Sequence, residues 1–148
     1  PEIEKLSMDG NNNAIKFPRA LMKKYNLEFS FSGLKTSLLY HMDSHKNENL
    51  NDVAASYQKA IVDVLITKLK WAMKKTGCKI CVIAGGVAAN QFLRKSVESM
   101  LTAQKVIFPD LALCTDNASM IAYLGELYLS GGVKSEYDFP IQPNLKLV

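Results

Sequence analysis

The sequence predicts an α/β chain, and three observations predict it. Helical and strand patterns alternate along most of the length. One apolar run, Ile80 to Ala84, ends in Gly85-Gly86 and opens straight into a helical pattern. A long amphipathic stretch, Asp52 to Thr76, carries an apolar stripe of Val53, Tyr57, Ala60, Ile61, Val64, Leu65, Leu69 and Ala72, the spacing of a helix face turned to a core. Strands separated by helices read as β-α-β units. The 148 residues suffice for one domain with a real core. A hydrophobic content of 48% and a charged content of 22% are those of an ordinary globular chain. No apolar run approaches the roughly 20 residues that a membrane helix needs.

In order, Glu2 to Met8 reads as the end of a helix that stops at Asp9-Gly10, and Asn11-Asn12-Asn13 as a loop. Ala14 to Leu21 and Phe29 to Phe31 read as short strands, the second because Glu28-Phe29-Ser30-Phe31-Ser32 alternates with period two. Ser32 is the expected N-cap of a helix running to about Met42, and the polar stretch to Asn49 is a turn. The long helix Asp52 to Thr76 ends at Gly77 as a C-cap should. There follow a strand Lys79 to Ala84, a helix from about Ala88 to Leu101, a strand Lys105 to Phe108, and a helix Asn117 to Leu129 ended by Gly131-Gly132. The last 16 residues, with Pro140 and Pro143, are expected to be an extended tail.

Two turns carry the chemistry. Glycine removes the Cβ that would keep a phosphate or sugar from the backbone, and a helix start offers N–H groups and a partial positive charge. Gly85-Gly86-Val87-Ala88-Ala89-Asn90 therefore suits a nucleotide, although a tight strand-to-helix junction has the same look. It is neither a Walker loop nor the dinucleotide fingerprint. Cys114-Thr115-Asp116-Asn117-Ala118-Ser119 puts a carboxylate at a helix start, where Asp116 is either an acidic group beside the nucleotide or simply the helix cap.

Three cysteines, an odd number, argue for a reducing compartment rather than a disulfide scaffold. Cys78 and Cys81 have C-x-x-C spacing but no second pair, so they read as structural thiols. The net charge is +4. Lysines gather at Lys68, Lys70, Lys74, Lys75 and Lys79, with Lys16, Arg19, Lys23 and Lys24 as a second group; both read as solvated faces, and a basic surface also suits a nucleic acid. The N-terminus is acidic and lacks a starting Met, so the chain reads as a fragment or processed product without a signal peptide.

Four runs occur in order: Phe29-Ser30-Phe31-Ser32-Gly33-Leu34-Lys35-Thr36, Ala54-Ala55-Ser56-Tyr57-Gln58, Ala84-Gly85-Gly86-Val87-Ala88-Ala89-Asn90 with Leu93-Arg94, and Cys114-Thr115-Asp116-Asn117-Ala118-Ser119-Met120-Ile121-Ala122. Together they resemble the TsaD/Kae/Gcp family of tRNA N6-adenosine threonylcarbamoyltransferases over nearly the whole chain. The ending, Gln142 to Val148, departs from the family's Arg-Trp-Pro tail. The resemblance implies the ribonuclease-H-like second lobe of an actin/hexokinase-like ATPase fold, with the first lobe and its His-x-x-x-His metal motif absent. Residues 1–13 would be the inter-lobe segment, 14–132 the core and 133–148 the tail. It implies Asp116 as a ligand of one divalent metal, iron or zinc, and Asn90 as a contact to the adenylate. Gly85 and Gly86 would admit the nucleotide, threonylcarbamoyl-AMP or ATP. The implied activity is transfer of threonylcarbamoyl to N6 of the adenosine at position 37 of tRNAs that read codons beginning with A. The implied partners are tRNA, a paralogous scaffold subunit and a small ATPase subunit of the bacterial complex, in the cytoplasm and without a membrane.

A non-catalytic paralogue of the same fold is the rival reading, and a metallopeptidase the older one. His41-Met42-Asp43-Ser44-His45 mimics a metal motif, but it lies downstream of the Phe-Ser-Phe-Ser run and lacks the glutamate of a peptidase. It reads as a pair of solvent-exposed histidines at a helix end.

Overall fold

The computed structural model describes residues 2–103, 105–136, 138, 140 and 141. The expected tail falls mostly outside the described residues. The chain forms two compact units, Pro1–Cys114 and Thr115–Val148. Among the described residues the mixed α/β character holds, with helix predominating and a small parallel sheet.

In the first unit, α1 (Glu2–Ser7), α2 (Ser32–Ser44) and α4 (Gln91–Met100) accompany α3 (Leu50–Thr76), which at 27 residues is the spine. Asn49 caps α3 by accepting from the Asn51 N–H at 3.0 Å, so the helix begins two residues before the expected Asp52. Gly77, at φ 71°, closes it, donating its N–H to the Met73 carbonyl. Strands β1 (Ile80–Val82) and β2 (Lys105–Ile107) pair in parallel, Ile80 opposite Lys105 and Val82 opposite Ile107, with α4 as the crossover between them.

Two apolar clusters grip the two halves of α3. Val62, Ile66 and Met73 pack with Leu93, Val97 and Leu101, against which Cys81, Ile83, Val106 and Phe108 close from the sheet. Val53, Tyr57 and Ala60 pack with Phe17 and Leu34. The single stripe expected from the sequence is therefore too narrow, because Ala54, Ala55, Ser56, Gln58, Val62, Ile66, Lys68 and Met73 are buried as well. A helix with neighbours on several sides is buried beyond one face.

The expected strands at Ala14–Leu21 and Phe29–Phe31 do not form, and Ser32 does not cap α2; Phe31 holds the cap position without a side-chain bond. Phe29 and Phe31 instead stack on each other with ring centroids 6.2 Å apart. The segment from Asn11 to Arg19 is tied to α3 by side chains instead of a strand ladder. The Ile15 N–H donates to Ser56 Oγ, Ser56 donates to the Asn11 carbonyl, and Arg19 pairs with Asp63 at 2.7 Å. Lys68 is the largest departure. The sequence places it among solvated lysines, yet it is 1% exposed. Its ammonium donates to the carbonyls of Leu21 at 2.8 Å and Asn26 at 2.9 Å, over the rings of Phe29 and Trp71. A buried charge is tolerated when hydrogen bonds replace its water.

Gly10 marks the closest approach to α3. A Cβ there would strike the Asn51 carbonyl and lie 2.9 Å from Ala55 Cβ. Because the obstacle is helix backbone, Gly10→Ala is expected to destabilise the protein by at least about 1–3 kcal/mol, the range for overpacking, which thermal unfolding measures.

In the second unit, α5 (Ala118–Ser130) is apolar on most sides, with Ile121, Leu124, Leu127 and Leu129 all exposed. Gly131 and Gly132 end it, the latter at φ 78°. Among the described residues no helix is long and apolar enough to cross a membrane.

Candidate functional site

Gly85, Gly86 and Asn90 come together in one turn of the first unit. Past β1 the Ile83 N–H still reaches the Ile107 carbonyl at 3.0 Å, and then the chain breaks away from the sheet. Gly85 sits at φ 88°, ψ 173°, a region open essentially to glycine alone. A 3-10 turn, Gly86–Ala89, follows, anchored by the buried Ala88. Asn90 then caps α4. Its Oδ1 accepts from the Leu93 N–H at 2.8 Å, and its Nδ2 donates to Gln58 Oε1 at 2.8 Å.

The two glycines differ in kind. Gly85 is demanded by its backbone angle. Gly86 is not in the left-handed region, and a Cβ built on it meets nothing within 4 Å. The fold gives no reason for glycine there, whereas a ligand pressed against the backbone would. The N–H groups of Gly86 and Val87 have no acceptor among the described residues. The start of α4 is less available than the sequence suggested, since Glu4 Oε1 accepts from the Gln91 N–H at 2.6 Å and Asn90 takes that of Leu93. The open donors of this site therefore belong to the 3-10 turn and not to the α-helix.

Sequence reasoning passed over two supporting side chains. Gln58 is one of three buried polar residues of α3, with Ser56 and Lys68. Arg94, quoted only as part of a motif, donates from Nε to the Ala88 carbonyl at 2.7 Å and from an Nη to the Pro109 carbonyl at 2.9 Å, and it lies over the Phe108 ring. It fastens the turn to the chain that leaves β2.

Asp116 belongs to the second unit and is exposed. It is not the cap of α5. Asn117 is, accepting from the Met120 N–H at 3.1 Å and donating to the Thr115 carbonyl at 3.0 Å. The capping explanation for the aspartate is thereby removed.

Among the described residues no group of three or more His, Cys, Asp or Glu could hold a metal ion. His41 is not the exposed helix-end histidine that the sequence suggested. It stacks on His45 with ring centroids 4.5 Å apart, meets the edge of Phe17 at 5.5 Å, and pairs with Glu48. Cys78 and Cys81 are free. Burial, helped by the neighbouring Cys78, pushes the Cys81 thiol up, away from the thiolate that redox or metal chemistry uses.

A family model described as TsaD, tRNA N6-adenosine threonylcarbamoyltransferase, matches residues 1–123. The chain belongs to the TsaD family. A protein of that same name from Thermosipho africanus is 44% identical over 151 residues, covering 99% of this chain and 46% of the relative. Its counterpart in Geobacter sp. strain M21 is 45% identical, covering 95% of this chain and 43% of its own length. One from Streptococcus pneumoniae is 49% identical over 126 residues. The chain thus spans about half the length of the TsaD relatives it matches. The TsaD match takes in both the Gly85–Asn90 turn and Asp116.

Proposed function

We propose that this chain is the C-terminal, ribonuclease-H-like lobe of a two-lobed enzyme with the actin/hexokinase-like fold. Residues 1–13 lead in from the other lobe, 14–132 form the core and 133–148 the tail. The whole enzyme transfers the threonylcarbamoyl group from threonylcarbamoyl-AMP to N6 of adenosine 37 in tRNAs that read codons beginning with A. The observation that carries this reading is Gly86, a glycine for which the fold has no need, in a turn whose Gly86 and Val87 N–H groups have no acceptor among the described residues in a chain that belongs to the TsaD family.

In this reaction the N6 nitrogen attacks the carbamoyl carbon. A C–N bond forms, the bond from that carbon to the adenylate oxygen breaks, AMP leaves with the electron pair, and N6 gives up a proton. This lobe's part is binding and orientation. The turn admits the adenylate at Gly85 and Gly86, and Asn90 keeps one Nδ2 hydrogen and one Oδ1 lone pair beyond those used inside the protein. Holding reactants in place is itself a large contribution to group transfer. The described residues do not make a metal site on their own. Asp116 is proposed as one carboxylate of an iron or zinc site completed by the other lobe. Exposed Lys16, Lys23, Lys24, Lys74, Lys75 and Lys79 give the surface a polyanion such as tRNA prefers. The paralogous scaffold and the small ATPase subunit are the proposed protein partners, in the cytoplasm.

A pair of variants of the two-lobed enzyme tests the site. Gly85→Ala is expected to lower stability by about 1–3 kcal/mol through backbone strain. Gly86→Ala is expected to keep the melting temperature while weakening AMP binding by about 1–3 kcal/mol, the cost of an intruding methyl group. Unchanged AMP affinity in Gly86→Ala reduces the turn to a junction between strand and helix.

A further inference from the structure

We infer that Gln58, a residue of α3 without a place in the proposed chemistry, is a positioning residue that, together with the Leu93 N–H, holds the Asn90 amide in one orientation toward the nucleotide. The inference rests on Asn90 being a nucleotide contact, as proposed above.

The geometry is a hydrogen-bond chain with a direction. The Leu93 N–H, which can only donate, points at Asn90 and makes the atom facing it Oδ1. Nδ2 is thereby turned to Gln58, which must present Oε1 at 2.8 Å. Gln58 then sends Nε2 to Ser7 Oγ, also at 2.8 Å. Ser7 accepts that hydrogen and donates its own to the Glu4 carbonyl at 2.7 Å, which can only accept. A backbone donor closes one end and a backbone acceptor the other, so neither amide can flip without stranding a partner. Gln58 is 6% exposed, and a buried polar group left unpaired is costly. The orientation of Asn90 is thus fixed from α1 through α3, 32 residues away in sequence at Gln58. Glu4 adds a second tie from α1 to the same place, through the Gln91 N–H.

The consequence is that α1 and α3 determine which atoms of Asn90 remain for a ligand. Removing the acceptor at position 58 leaves the Asn90 amide held at Oδ1 alone, by the Leu93 N–H, so that Nδ2 is no longer fixed in place, and nucleotide affinity falls although Gln58 does not touch the nucleotide.

The test is calorimetric titration of the two-lobed enzyme with AMP. Gln58→Met, close in shape but with only a weak thioether acceptor, is expected to weaken AMP binding about 2- to 10-fold, the range for one neutral hydrogen bond. Gln58→Glu keeps an acceptor toward Asn90 and is expected to restore most of that loss. Asn90→Ala is expected to weaken binding at least as much, and Gln58→Met added to Asn90→Ala to change nothing more, because two residues acting through one contact are not additive. Should Gln58→Met fail to fold, Ser7→Ala, at the less buried end of the chain, is expected to weaken AMP binding about 2-fold, and again not in the Asn90→Ala background. Normal AMP affinity in Gln58→Met, or in Ser7→Ala where that variant decides, overturns the inference. So do losses that multiply in the double variant. Normal affinity in Asn90→Ala overturns the nucleotide reading itself, and the inference with it, and is told apart by that single variant.

Discussion

Asp116→Ala in the two-lobed enzyme is expected to abolish threonylcarbamoyl transfer to tRNA while leaving the melting temperature almost unchanged. The second half follows from the structure. Asp116 is exposed and Asn117, not Asp116, caps α5, so the substitution removes no helix cap and its effect on stability stays within about 0.5 kcal/mol, as for other surface changes. The first half follows from the proposed metal site, which loses an anionic ligand. Iron or zinc content of the purified variant is the accompanying measurement, and it should fall together with activity. Full activity with full metal content would exclude the ligand role. Asn117→Ala is the contrasting variant. It removes a real cap, so it is expected to lower stability by about 0.5–2 kcal/mol and to leave the metal in place.

Lys68→Met is expected to have the largest effect on stability. It preserves the length and much of the apolar stem but removes the ammonium that donates to Leu21 and Asn26. Each carbonyl loses a hydrogen bond from a charged donor, worth about 1.5–3 kcal/mol. The two sit in a turn already under strain, because Leu21 and Tyr25 hold φ of 53° and 65° without being glycine. The loss should appear first as local opening. Amide hydrogen exchange is expected to accelerate across residues 21–29 before the helices respond. Lys68→Arg is not a rescue, since a planar fork does not replace a compact ammonium aimed at two carbonyls. Wild-type stability in Lys68→Met would mean that water or neighbouring donors satisfy the turn.

Much of this protein is legible in its sequence because the signals are local. The long helix α3 declared itself by periodicity and by Gly77 at its end, and the βαβ unit by an apolar run, two glycines and a helical pattern. Gly85-Gly86 stood out on the same grounds as a turn that would suit a nucleotide. The misread elements are those whose partners lie far away in sequence. Phe29-Ser30-Phe31 alternates like a strand, but no strand lies beside it among the described residues; its two rings stack on each other and Phe31 packs against the cluster of Phe17 and Leu34. Ser32 is a good cap by residue type, yet the helix begins on it.

What the sequence determined alone is the α/β class, the order of the helices, and the glycine turn between strand and helix at Gly85-Gly86, because turn chemistry and helical spacing act over a few neighbouring residues. What only the tertiary structure decided is which polar groups the interior consumes. Asn117 takes the cap that Asp116 could have filled, Lys68 leaves the solvated lysines to hold a turn, and Gln58 aims its amide between Ser7 and Asn90. Each depends on a partner brought close by folding, and a buried donor or acceptor is so costly when unpaired that the partner, not the residue type, settles its role.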